Sequence, residues 1–265
     1  LHGSAFVYYR DKSLNAIDLI NTITGQPTSP YNFTQFGSTL GGPAVRNRLF
    51  LFGAYEGQRS RTESLVELNV PPSFQLSPDP VVSGFQQQAL DYLTARAASW
   101  IRTNDQHLMF VKGDWSLGSS SLVTVRVNRQ RFTSAGGESP GGPQVSSEHN
   151  GTSLIDRDTV GAALTSAISP SWLNVARISY VQARVPGNPN TANPEASVLE
   201  GGQLVLTIGR LPTTPRENSL RRVEWSDTVS HRRGSHLLKA GVSILRDQIT
   251  FITAVNFSGS YRFVS

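Results

Sequence analysis

The sequence predicts an all-β protein: an antiparallel transmembrane β-barrel, present in part, with about nine to ten strands of a larger barrel. Three observations carry that expectation. Three separate segments alternate apolar and polar residues with a period of two, as strands wetted on one face do. Pairs of these segments are joined by short links, whereas successive pairs are separated by long stretches rich in Pro, Gly, Ser, Asn or Thr. No run of about 18 apolar residues occurs, so no helix can be drawn across a membrane.

The elements follow in order. A first strand opens the chain, and the link Asp11 to Asn32 follows it. FTQFGSTLGGPAV and LFLFGAYEGQRSRTESLVELNV pair around Arg46-Asn47-Arg48. The second of these outruns the ~9–11 tilted residues that cross a bilayer. Residues 49 to about 59 are expected to span it, and 60 to 70 to project beyond it as a ribbon. The loop from Pro71 to Asn104 carries an amphipathic helix, GFQQQALDYLTARAASW, with Phe85, Leu90, Leu93 and Ala97 near one face. QHLMFVKGDWSL and SLVTVRVNRQRF meet at Gly118-Ser119-Ser120. In the latter, Val123, Val125 and Val127 oppose Thr124, Arg126, Asn128 and Gln130.

After the loop Ser134 to Ser153, TVGAALTSAI and WLNVARISYVQARV meet at Ser169-Pro170-Ser171. The loop Pro186 to Asn218 contains QLVLTIG, a small strand of its own. RRVEWSDTVS and HLLKAGVSILRD meet at Arg232-Arg233-Gly234-Ser235. There Val223, Trp225 and Val229 oppose Arg222, Glu224, Ser226 and Thr228, and Leu238, Ala240, Val242 and Ile244 oppose Lys239, Gly241 and Ser243. YRFVS reads as the start of a tenth strand, and the chain as a piece of something longer.

Tight turns at one end and long loops at the other are the pattern of a membrane barrel. Aromatics near strand ends (Phe6, Tyr8, Tyr9, Phe50, Phe52, Trp115, Trp172) suit interfacial girdles, with lipid as the surrounding partner. Polar residues opposite the apolar face would line the interior. Arg126, Asn128, Glu224 and Lys239 are the candidates for a ligand path. A net charge of +5 permits anionic partners, but the arginines are spread thinly and not interleaved with aromatics, so nucleic acid is not expected. With 0 Cys, no disulfide, thiolate metal site or cysteine nucleophile exists. The 5 His lack the i, i+4 spacing of a helical metal site. Asp156-Arg157-Asp158 reads as lumen- or loop-facing acids, and neither a phosphate-cradling glycine loop nor a nucleophile elbow is present. No enzymatic activity, metal or cofactor is expected.

At QFGSTLGGPAVRNRLFLFGAYEGQR, residues 35–59, the chain resembles the barrel domain of Oar-like TonB-dependent outer-membrane receptors. The matching features are Phe36-Gly37, Gly41-Gly42-Pro43, the return strand Leu49 to Phe52, and Tyr55-Glu56-Gly57. GSAFVYYRDKSLNA, NDQHLMFVKGDW, ISPSWLNVARISY and RRGSHLLKAGVSI match more generically, in the order that the family would place them. The resemblance implies that residues 1–265 are part of a barrel of about twenty-two strands. It further implies a preceding plug and carboxypeptidase-like regulatory domain, a location in the outer membrane of a Gram-negative bacterium, contact with the TonB complex through the plug, and uptake of a scarce small ligand such as a siderophore, peptide or glycan. Two other readings fit the alternation: a passive outer-membrane porin, and a surface β-sandwich adhesion module that buries one sheet face against another.

Overall fold

The computed structural model describes residues 1–14, 16, 30–139 and 141–265. In chain order these form β1 (His2–Asp11), β2 (Tyr31–Val45), β3 (Leu49–Ser64), α1 (Pro80–Thr94), β4 (Trp100–Leu117), β5 (Ser121–Ala135), β6 (Gly151–Ser169), β7 (Trp172–Pro189), β8 (Glu195–Glu200), β9 (Gln203–Ile208), β10 (Arg216–Arg233), β11 (His236–Thr253) and β12 (Ser260–Val264). Nine strands make one antiparallel sheet in the order β1-β2-β3-β4-β5-β6-β7-β10-β11, and β12, β8 and β9 make a separate small sheet. Most of the link between β1 and β2 lies outside the described residues.

All four tight turns sit where the short links predict them, after β2, β4, β6 and β10. Three need a left-handed residue, and Asn47 (φ 58°), Gly118 (φ 72°) and Gly234 (φ 60°) supply it. The expected tenth strand does not join the sheet. β12 instead runs parallel to β8, from Ser260 opposite Glu195 to Val264 opposite Leu199. The link before it is held away from the edge of β11: the Asn256 amide donates to the Pro212 carbonyl, and the Glu195 amide to the Gly259 carbonyl.

The register fixes both the faces and the tilt. Residues opposite one another in a ladder share a face. One line of partners runs Val7, Phe36, Gly57, His107, Arg131, Asp156, Arg184, Ser219, Thr250. On β1 this line crosses the middle of the run Ala5, Val7, Tyr9. On β11 it crosses at Thr250, about nine residues above the middle of Leu238, Ala240, Val242 and Ile244. At ~3.3 Å per residue and ~4.8 Å per strand, that shift over eight strand spacings is a tilt of about 38°. Transmembrane barrels tilt by ~35–45°, and the tilt keeps the apolar band level while the register climbs.

The glycine-rich stretch at residues 36–57 has a packing reason. Phe6 faces its register partner Gly37, where a Cβ would stand 2.7 Å from the ring and 2.7 Å from the Tyr55 carbonyl oxygen. On the opposite face Phe36 covers Gly57 in the same way, with a Cβ-to-ring distance of 2.5 Å. Aromatic rings thus shield the backbone that the glycines leave bare.

Above the sheet the long loops fold around a core of their own. Val66, Leu93, Val205, Leu206 and Ile208 are buried together, with Leu68, Val70, Ala97, Trp100, Ala196 and Val198 packed against them. β3 therefore ends at Ser64, short of the expected ribbon to residue 70, because Val66, Leu68 and Val70 turn into this core. The helix starts at Pro80 rather than residue 84: the Asp79 side chain accepts from the Val81 and Val82 amides, and Pro80 occupies the first turn. It ends at Thr94, so Trp100 belongs to β4, and Phe85 is exposed rather than on the packed face.

Candidate functional site

Two faces with different chemistry follow from the register. The outer face carries Val111, Val127, Val160, Tyr180 and Val223 along one line of partners, and Gly113, Val125, Ala162, Ile178, Trp225 and Ile244 along the next. The inner face carries Lys112, Arg126, Gly161, Ser179 and Glu224 between those two lines. Phe6, Thr39, Glu56, Phe110, Asn128 and Arg157, from six neighbouring strands, line one hollow of about 490 Å³.

All four predicted interior residues lie on this inner face. Arg126 and Glu224 share one register line and line a second hollow of about 210 Å³. Asn128 lines the larger of these two hollows, and Lys239 on β11, opposite Ser230 of β10, stands apart toward the tight turn. Sequence reasoning missed several inner-face residues. Arg157 and Arg177 each line one of the hollows. Glu56 accepts from Gln35 at 2.8 Å and from Gln58 at 2.7 Å. Lys112 pairs with Asp114 at 2.7 Å, and Arg222 grips Asp247 with two hydrogen bonds of 2.7 Å. The parity of β6 was the available signal for Arg157, since it faces opposite to its neighbours.

That parity also corrects the reading of Asp156 and Asp158, which lie on the outer face above the apolar band rather than in the lumen. Arg129 holds both, at 3.2 Å and 2.6 Å. The aromatic assignment divides as well. Tyr9, Trp115 and Trp172 face outward and suit girdles, whereas Phe6, Tyr8, Phe50 and Phe52 share the inner-face register.

The loops close over the inner face. Trp100, Arg102 and Arg216 have inner-face parity, and all three engage the loops. Trp100 packs against the loop core, and Arg102 donates to the Gly136 and Ser139 carbonyls at 2.9 and 3.0 Å. Arg216 meets the buried Glu138 carboxylate at 2.8 Å. Burial raises the Glu138 carboxyl above its ordinary range, and Arg216 offsets part of that. His149 is buried beneath the loop sheet with Nε2 3.5 Å from Glu195. Burial holds its imidazole below the ordinary value, outweighing the Glu195 carboxylate, which pulls the other way. Among the described residues no three His, Cys, Asp or Glu side chains converge to hold a metal ion.

A tilted, two-faced sheet with an apolar outer face, a polar inner face and a loop cap is built to enclose an aqueous lumen within a membrane. Comparison with known proteins agrees with that geometry. The model of the outer membrane beta barrel domain family matches residues 1–100 and 73–265. No match was found among curated proteins. Among solved structures the chain is similar to the outer membrane transporter YddB of Escherichia coli, with a TM-score of 0.58 and 7% identity over 92% of this chain. The likeness is one of fold, and it spans 31% of the transporter's length. The chain belongs to the outer membrane beta-barrel domain family and is a protein of the outer membrane.

Proposed function

We propose that residues 1–265 form part of the barrel of an Oar-like, TonB-dependent receptor that takes up a scarce small ligand, a siderophore, peptide or glycan, by transport rather than catalysis. The observation that carries this reading is the loop cap. A core sealed around Leu206 sits over a polar inner face, which suits ligand capture at the mouth of a gated barrel better than free diffusion through an open one. Two further points support it: the motif Phe36-Gly37, Gly41-Gly42-Pro43 and Tyr55-Glu56-Gly57 resembles that family, and the fold is shared with an outer membrane transporter.

In this reading the nine-stranded sheet is completed by other parts of the polypeptide, because β1 and β11 would otherwise expose unpaired backbone to lipid. A plug fills the lumen and meets the TonB complex. Ligand held by the cap passes inward along Asn128, Arg126, Glu224 and Lys239 once the plug is remodelled. The test is conductance of the complete protein in planar bilayers, together with retention of the purified periplasmic domain of TonB. A closed channel that retains TonB is expected. A steady open conductance without TonB retention would make the protein a passive porin and overturn the proposal.

A further inference from the structure

Above the apolar band the outer face becomes cationic. Arg61 is neutralised by Asp105 at 2.9 Å, Arg129 by Asp156 and Asp158, and Arg184 by Glu217 at 3.1 Å. Arg221 and Arg246 have no carboxylate within 4.0 Å among the described residues. They are diagonal neighbours on one face, since Arg221 opposes Gln248 and Arg246 opposes Val223. Two unbalanced guanidinium groups therefore stand together on the side of the barrel that faces lipid.

The surface around them is shaped. Gln182, Arg184, Glu217, Arg221, Gln248 and Thr250 line a polar depression of about 300 Å³ on the outer face, and Arg246 stands below it. One register line beneath lie Tyr180, Val223 and Arg246, and beneath them Ile178, Trp225 and Ile244, so the depression opens directly onto the apolar band. Long loops mark the outward-facing end of a bacterial barrel, so this edge meets the outer leaflet. A guanidinium fork matches a phosphate with two parallel hydrogen bonds, and it gains most where lipid excludes water. Glu217 is the acid in the depression, and Arg184 already holds it.

We propose that this depression is a docking site for a phosphate-bearing lipid of the outer leaflet. Arg221 and Arg246 grip the phosphate, Gln182 and Gln248 donate to its remaining oxygens, and the acyl chains lie over Tyr180, Trp225 and Ile244. The site draws on these strands and on the placement in the outer membrane, so it stands whether or not the barrel is gated by TonB.

The experiment uses the complete protein and phosphatidylcholine vesicles doped with lipid A, or with lipid A stripped of its phosphates. Folded protein, recognised by its unheated migration on gels, is scored for lipid retained after delipidation. Wild type should retain the phosphorylated lipid on the order of tenfold better than the stripped lipid, and the double variant Arg221→Gln/Arg246→Gln should lose that preference. Arg177→Gln, on the inner face, should keep it. Equal retention of the two lipids by wild type overturns the proposal, and this arm needs no variant to fold. Displacement of the lipid by millimolar inorganic phosphate would identify a free-anion site instead and would equally overturn lipid docking.

Discussion

A single arginine placed on either side of β5 should separate the two faces by energy. Val125 lies in the middle of the outward run Val123, Val125, Val127, with Gly113 and Ala162 as its register partners. An arginine there finds no acid among its outward neighbours, Val111, Trp115, Val160 and Leu164, unlike Arg129 with its two aspartates. At the bilayer midplane such a charge costs about 2–4 kcal/mol, a factor of about 30–700 in the folding equilibrium. Thr124→Arg adds the same charge one residue away but on the inner face, where Asp114 already accepts the Thr124 hydroxyl at 2.7 Å. It should cost under about 1 kcal/mol. The assay is urea titration of the complete barrel in phospholipid bilayers, followed by tryptophan fluorescence. Equal losses at positions 124 and 125 would refute the face assignment.

Three more outcomes follow from the packing. Leu206 is 0% exposed in the loop core, so Leu206→Ala should cost the cap about 2–5 kcal/mol. Limited proteolysis should then cut residues 190–215 while the barrel keeps its folded gel migration; an uncut loop would argue against an independent cap core. Gly37→Ala must push against the Phe6 ring and the Tyr55 carbonyl and should lose about 1–3 kcal/mol, whereas Gly53→Ala, with nothing within 4 Å, should be nearly neutral in the same titration. Burial keeps His149 neutral in the folded cap, while the unfolded chain takes up a proton near pH 6.5, so the folded state binds fewer protons below that pH. The cap's stability should be full above about pH 6.5 and fall as pH drops from there toward the lower folded value. Amide protection factors, with the observed rate referred to the intrinsic rate at each pH, in residues 136–139, 141–150 and 190–215 report it, and His149→Gln should flatten the profile; protection that instead rises on acidification would contradict the assignment.

What could be read in the sequence was local and periodic. Alternation in SLVTVRVNRQRF separated Val125 from Arg126 correctly, because a two-residue period survives small errors in strand ends. The tight turns were equally visible, carried by residues such as Asn47 and Gly118 that tolerate a left-handed backbone. Long-range facts were not visible. The pairing of Asp156 and Asp158 with Arg129 depends on the register between two strands, which no single segment encodes. The inward turn of Phe6, Tyr8, Phe50 and Phe52 failed for the same reason, since aromatic content marks a strand end without marking its face. The helix start was legible in Asp79-Pro80, a capping signal passed over in favour of the apolar spacing that begins at Phe85. Phe36-Gly37 was recognisable only as a family pattern, and its cross-strand shielding of glycine emerges once Phe6 is opposite Gly37. Burial of Leu206 requires α1 and β9 to meet across more than a hundred residues.

The most direct test of a membrane barrel with this inner and outer face exploits the absence of cysteine from the chain. Single cysteines at Thr124, Val125, Arg126, Val127 and Asn128 of the complete protein, in intact outer membranes, are exposed to a hydrophilic maleimide. The structure predicts labelling at 124, 126 and 128 from the aqueous interior, and protection at 125 and 127 by lipid. Uniform labelling, or the opposite alternation, would contradict it.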